Sequence, residues 1–136
     1  MKIAIETHVK ASLAETWKAW NDPEAIKQWN TAQADWHTTH SEVDLRAGGR
    51  FVSRMAAKDG SVAFDFEGQY TNVVPQQLIE FEMADGRKVK VEFSEISGCV
   101  LVQEVFDAET EHSVEQQREG WQAILNNFAS YVESSQ

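Results

Sequence analysis

Few side chains in this sequence have the type and spacing to do chemistry. Asp35, His37 and His40 lie close together, and imidazole with carboxylate suits zinc. Their spacing is loose and no Cys or His cluster supports them, so neither a metal nor another cofactor is expected. Cys99 is the only cysteine. It would serve as a nucleophile only beside a base that lowered its pKa, and no histidine stands near it in sequence, so an idle or packed thiol is the plainer reading. No Gly-x-Ser-x-Gly elbow surrounds a serine. The Gly48-Gly49 pair sits in neither a Walker sequence nor a dinucleotide fingerprint, and glycines that let a strand bend account for it. No residue is assigned as catalytic.

Glu104 stands apart. A carboxylate among Val91, Val102 and Phe106 would have its charged form disfavoured by desolvation, which makes it a candidate acid, base or ligand anchor. The plainer alternative is a carboxylate satisfied by a neighbouring Tyr, His or Arg. The choice depends on which way Glu104 points, and that is set by the elements around it.

Ile3, Ile5, Thr7 and Val9 alternate with Ala4, Glu6, His8 and Lys10, a period of two that predicts a strand with one buried face. Ser12 followed by Glu15 fits a capping box, and Leu13, Trp17 and Trp20 then share a helical face. Asp22-Pro23 restarts the chain as N-cap and first helical residue of a second short helix. Residues 30–41 show no period and read as loop. Ser113 and Gln116 form another capping box, and Val114, Gln117, Trp121, Ile124, Leu125, Phe128 and Val132 recur at helical spacing in a long amphipathic helix. Gly120 lowers that helix's stability by up to ~1 kcal/mol relative to Ala, which close approach to a sheet would explain.

Between the helices, three turns can be tested against side-chain register. Asp59-Gly60 as a type I′ turn sets Met55 opposite Phe64, Ser53 opposite Phe66 and Arg54 opposite Asp65. At Asp85-Gly86 a two-residue turn mixes apolar and charged faces. A three-residue loop with Gly86 left-handed as a G1 bulge instead pairs Phe81 with Val89, Ile79 with Val91, and Glu80 and Glu82 with Lys90 and Lys88. At Ser97-Gly98 a two-residue turn sets Val91 opposite Glu104, Phe93 opposite Val102 and Val89 opposite Phe106, which points Glu104 inward. A three-residue loop would turn Leu101, Gln103 and Val105 inward, and the sequence leaves both open.

The order is a strand, two short helices, about six antiparallel strands and one long helix, which predicts an α+β fold in which a curved antiparallel sheet of six to seven strands grips the C-terminal helix. The inward positions Phe51, Met55, Phe64, Phe66, Phe81, Val91, Phe93 and Phe106, with Trp121 and Phe128 from the helix, are hard to pack solidly under such curvature. An apolar pocket with Glu104 and Gln117 as its polar groups is expected.

Composition narrows the partners. The chain has 136 residues, 42% of them hydrophobic, and a net charge of −10 with 12 basic against 22 acidic residues. One domain spanning 1–136 is expected. The acidic balance argues against nucleic acid. No apolar run approaches the ~20 residues a membrane span needs, and no signal-peptide h-region is seen, so a cytoplasmic location is expected. A homodimer is compatible with the sequence and not specified by it.

The runs Trp29-Asn30-Thr31-Ala32, Asp35-Trp36-His37, Gly48-Gly49-Arg50-Phe51, Met55-Ala56-Ala57-Lys58-Asp59-Gly60-Ser61, Phe64-Asp65-Phe66-Glu67-Gly68 and Gln117-Arg118-Glu119-Gly120-Trp121-Gln122-Ala123-Ile124-Leu125 resemble the bacterial branch of the activators of heat shock protein 90 ATPase. That branch belongs to the START-like (SRPBCC) superfamily, with its polyketide cyclases, lipid carriers and birch-pollen allergens. The resemblance spans essentially the whole chain and implies a helix-grip fold with a hydrophobic cavity. Many relatives carry Thr where this chain has Cys99. Because this superfamily hosts unrelated functions, three readings follow. A binding module for a small hydrophobic or amphipathic molecule leads, a cyclase- or aromatase-like enzyme using Glu104 comes second, and a chaperone-associated stress-response protein, suggested by the family name alone, comes third.

Overall fold

The computed structural model describes residues 1–135. In chain order it contains β1 (Lys2–Val9), α1 (Leu13–Asn21), α2 (Pro23–Trp29), β2 (Trp36–Val43), β3 (Arg50–Ala57), β4 (Ala63–Val74), β5 (Leu78–Met83), β6 (Lys88–Ile96), β7 (Cys99–Asp107) and α3 (Val114–Ser134). The strands form one antiparallel sheet in the order β1-β7-β6-β5-β4-β3-β2. It curls as a half-barrel around α3, with α1 and α2 following β1. This is the α+β helix-grip architecture that the element order predicts.

Period two along β1 buries Ile3, Ile5 and Val9. At Ser12 the hydroxyl oxygen accepts a hydrogen bond from the Glu15 amide at 3.1 Å, but the Glu15 carboxylate accepts one from the Ser12 hydroxyl at 2.9 Å rather than from a backbone N–H, so only half of the expected capping box forms. Asp22 ends one helix and starts the next. Its N–H donates to the Lys18 carbonyl and its carboxylate accepts the Glu24 N–H, with Pro23 opening α2. The Ser113–Gln116 box at α3 is complete.

Two of the three hairpins follow the side-chain arithmetic outright. The β5–β6 turn is the three-residue loop, closed by Met83 N–H to Arg87 O at 2.7 Å with Gly86 at φ +92°, and it pairs Phe81 with Val89 and Ile79 with Val91. The β6–β7 turn has Ser97 at φ +47° and Gly98 at φ +85°, the paired left-handed residues a type I′ turn requires. Val91 is thereby set opposite Glu104. The β3–β4 hairpin keeps the expected register, Met55 with Phe64 and Arg54 with Asp65, but its turn is not type I′. Ala57 N–H bonds Val62 O at 2.9 Å and only Gly60 has positive φ, giving a longer loop across 58–61 that preserves the pairing. Asp59 prefers this form because its carboxylate accepts both the N–H and the hydroxyl of Ser61.

Residues 36–43 are strand β2, not the loop that their missing period suggested. A bulge between Thr38 and His40 shifts the register and so breaks the alternation on which a sequence reading depends. As an edge strand it leaves His37, His40 and Glu42 exposed and turns Thr38 and Ser41 inward.

Helix α3 buries Leu125, Phe128, Ala129 and Val132, and Gln122 Nε2 ties it to the Glu6 carbonyl at 3.1 Å. Phe128 makes edge-on contacts with Trp20 and Trp29, with ring centroids 4.9 and 5.0 Å away. A Cβ added at Gly120 would meet no atom within 4 Å, so close approach to the sheet is not why glycine stands there. The tight glycines are Gly49, where a Cβ would lie 2.1 Å from the Asp44 carbonyl oxygen, and Gly68. A Cβ at Gly68 would lie 3.0 Å from the Phe51 ring and 2.7 Å from the Glu82 carbonyl, so the absent side chain lets Phe51 lie over β4.

Candidate ligand pocket

Between α3 and the sheet lies a cavity of about 120 Å³. Strands β3, β4 and β5 supply its floor through Phe51, Ser53, Met55, Phe66, Tyr70 and Phe81. Helices α1 and α2 wall one end with Trp20, Ile26, Trp29 and Asn30. Trp121, Ile124 and Leu125 roof it, Val43 closes the β2 side, and β7 contributes Glu104. Its volume approaches that of an engineered apolar cavity of about 150 Å³ that binds benzene, so the space is that of one ring.

The walls are held by aromatic packing. Trp121 stacks on Phe106 with centroids 3.9 Å apart and planes 9° off parallel. Phe51 meets Phe66, Tyr70 and Phe81 at 5.9, 5.3 and 4.8 Å. The Trp29 indole N–H is already committed to the Ala19 carbonyl at 3.0 Å, so that ring presents only carbon to the cavity.

Polar chemistry in this apolar space concentrates on Glu104. The two-residue turn at Ser97-Gly98 directs it inward, opposite Val91 on one side and Ile5 on the other, and leaves it 6% exposed. Among the described residues no side chain or backbone group hydrogen-bonds its carboxyl, and no polar side-chain atom shut off from all accessible space is left without a partner. The carboxyl oxygens therefore open onto the cavity. Burial raises its pKa to about 8, so the group is mostly an uncharged acid at neutral pH. Tyr70, 6% exposed, is likewise pushed upward, first by burial and then by the charge of Asp44. Ser53 faces Ser41 with the hydroxyl oxygens 3.5 Å apart.

Of the residues expected to line a pocket, Phe51, Met55, Phe66, Phe81, Glu104 and Trp121 come together on its wall. Val91 and Phe106 are fully buried, Phe106 beneath Trp121, and Phe93 packs against Trp17 and Trp20 at 5.2 and 5.9 Å. Phe64 does not reach the cavity. It is 47% exposed near the β3–β4 turn, covered on one side by Trp36 at 5.9 Å, because α3 does not extend over that end of the hairpin. Gln117 is buried but serves another purpose. Its carbonyl oxygen accepts the Glu109 N–H at 2.8 Å and its amide nitrogen donates to the Glu109 and His112 carbonyls at 3.1 and 2.9 Å, which ties the β7–α3 connection to the helix.

Sequence reasoning missed Trp20, Ile26, Trp29, Asn30, Val43, Ser53, Tyr70, Ile124 and Leu125 as lining residues. Ser53 and Tyr70 share the parity of Met55 and Phe66 on their strands, a signal that was present. The two tryptophans are placed by helix packing, which no local period reveals.

His40 pairs with Glu42 at 3.0 Å on the surface, and the Cys99 thiol lies 3.1 Å from the Ile96 carbonyl across its turn. Among the described residues, the ligand-type side chains that meet are Glu109, Glu111 and His112; the glutamate and histidine at 111 and 112 are exposed. No helix among the described residues is long and apolar enough to cross a membrane.

Residues 10–133 match the family described as "Activator of Hsp90 ATPase homolog 1-like protein". The chain belongs to that family. An AHSA1-like protein from Aeromonas hydrophila, solved in solution, is 53% identical with a TM-score of 0.93, over 99% of this chain and 94% of that one. A solution structure from Cytophaga hutchinsonii is 45% identical with a TM-score of 0.85, over 98% and 93% of the two chains. A crystal structure from Nitrosomonas europaea, 16% identical over 100% and 96%, shares the fold at a TM-score of 0.87. No curated protein matches. With each of these structures the chain shares its fold over nearly its whole length.

Proposed function

We propose that this AHSA1-like chain is a binding module for a small hydrophobic or amphipathic molecule. The observation that supports this reading is the ring-sized space beneath α3, walled by aromatic side chains and carrying one carboxyl with no protein partner. A buried polar group without a hydrogen bond costs roughly 1–3 kcal/mol, and a ligand or water in the cavity would recover part of that cost.

Native mass spectrometry of the gently purified protein, followed by a thermal-shift screen with ring-sized compounds, tests the reading. Binding stabilises the native state by mass action, by about 2.7 kcal/mol at a hundred times Kd. Saturable shifts from compounds that contact Trp121 and Phe51 support it. The absence of any shift across a broad set, together with an empty mass spectrum, would remove it.

A second reading, an acid–base enzyme of the cyclase kind, is favoured by Glu104 alone. An uncharged acid in an apolar site can give or take a proton near neutral pH. Glu104→Gln keeps the size and removes the proton. Full turnover in that variant, with a substrate that the wild type converts, would eliminate this mechanism.

A further inference from the structure

The cavity wall is asymmetric in its chemistry. It carries a carboxyl, a phenol, a buried serine and an asparagine, Asn30, but no lysine or arginine, so an anionic headgroup entering it would meet no counter-charge and would lose its hydration. A cation would have to displace the proton of Glu104 and then be held as an ion pair in a mostly apolar site, where desolvation offsets much of the attraction. A neutral acceptor faces neither cost. An uncharged carboxylic acid in an apolar site is a hydrogen-bond donor, and the oxygens of Glu104 open onto the cavity with no protein partner.

We propose that the cavity selects an uncharged, ring-sized molecule bearing an acceptor oxygen, a carbonyl above all, which receives a hydrogen bond donated by Glu104. The proposal rests on the ligand-binding reading and adds the class of ligand and its dependence on one proton.

The proton linkage follows from what surrounds the group. Ile5 faces Glu104 from β1 and Val91 faces it from β6, while α3 covers the cavity with Trp121, Ile124 and Leu125. Among the described residues on the wall, Tyr70 is the one other titratable side chain, and its charged form is disfavoured too. No neighbouring charge therefore holds Glu104 ionised. As pH rises and the carboxyl loses its proton, the donor becomes an acceptor that repels the ligand oxygen.

Four molecules of nearly equal shape separate the possibilities: cumene, acetophenone, benzoate and 1-phenylethylammonium, titrated into the full chain and followed by amide chemical shifts. At about pH 6, acetophenone should bind about five- to tenfold more tightly than cumene, the value of one added hydrogen bond, and both charged probes more weakly than acetophenone. At about pH 9.5 the preference over cumene should vanish as Glu104 ionises. Glu104→Leu should bind cumene and acetophenone alike at both values. Glu104→Gln, whose amide still donates, should keep its preference at both.

Equal binding of cumene and acetophenone by the wild type near pH 6, a charged probe as the tightest of the four, or a wild-type preference that persists undiminished at alkaline pH would each overturn the proposal while leaving the pocket standing. Failure of all four to bind would overturn the pocket reading and this one together.

Discussion

Val91 and Glu104 face each other across the β6–β7 ladder, and both are buried, at 0% and 6% exposure. An acid thus occupies a position in a row where its neighbours Val89, Val102 and Phe106 are apolar, and most consequences of this structure for measurement come from that placement.

Stability should fall as pH rises through neutrality. Burial moves the Glu104 pKa from 4.5 to about 8. Between these values the native state keeps a proton that the unfolded chain has released, so the contribution is full below the lower value and is lost by the upper one. Urea midpoints measured across this window should decline for the wild type and stay level for Glu104→Gln. A wild-type curve parallel to that of the variant would mean that the carboxyl is not held uncharged.

Replacing Phe128 with Ala should destabilise the fold by about 3–5 kcal/mol, the usual result of truncating a fully buried ring. Phe128 is 0% exposed and contacts both Trp20 and Trp29. Near-ultraviolet circular dichroism should lose tryptophan signal along with the stability, since those two indoles lose their common support.

Gln117→Ala should cost about 1–3 kcal/mol, because the Glu109 N–H and the carbonyls of Glu109 and His112 lose their partner. Its affinity for a pocket ligand should be unchanged. A drop in affinity at conditions where the variant is fully folded would show that the amide reaches the ligand after all.

Two glycines should respond oppositely to alanine. At Gly120 an added methyl meets open space, and the helix should gain up to ~1 kcal/mol. At Gly68 it would press on the Phe51 ring and the Glu82 carbonyl, shifting the pocket floor. Denaturation midpoints of the two single variants check both signs.

The sheet was legible wherever a turn and a charge pattern agreed. At Asp85-Gly86 only one loop length put Glu80 and Glu82 across from lysines, and that register is the one found, although the Lys90 ammonium approaches Glu92, at 3.6 Å, rather than Glu80. β2 was illegible because one bulged residue cancels its alternation. Phe64 was misplaced for a different reason. Register gives the face of a strand but not how far along it the covering helix reaches. Gln117 shows the same limit on α3, where helical spacing marks the inward side without separating the cavity from the connection above it. Gly120 has no structural explanation.

The Ser97-Gly98 reversal lies six residues before the acid in sequence, roughly 20 Å away along the strand. Were the loop to take in one further residue of β7, with no residue added to the chain, every side chain of β7 would turn to the opposite face, bringing Gln103 into the interior and sending Glu104 out to solvent. The chemical character of the interior is thus encoded at the rim of the molecule, in the length of an exposed reversal, and a change at that rim could convert a proton-dependent chamber into a proton-indifferent one without touching any residue that surrounds it.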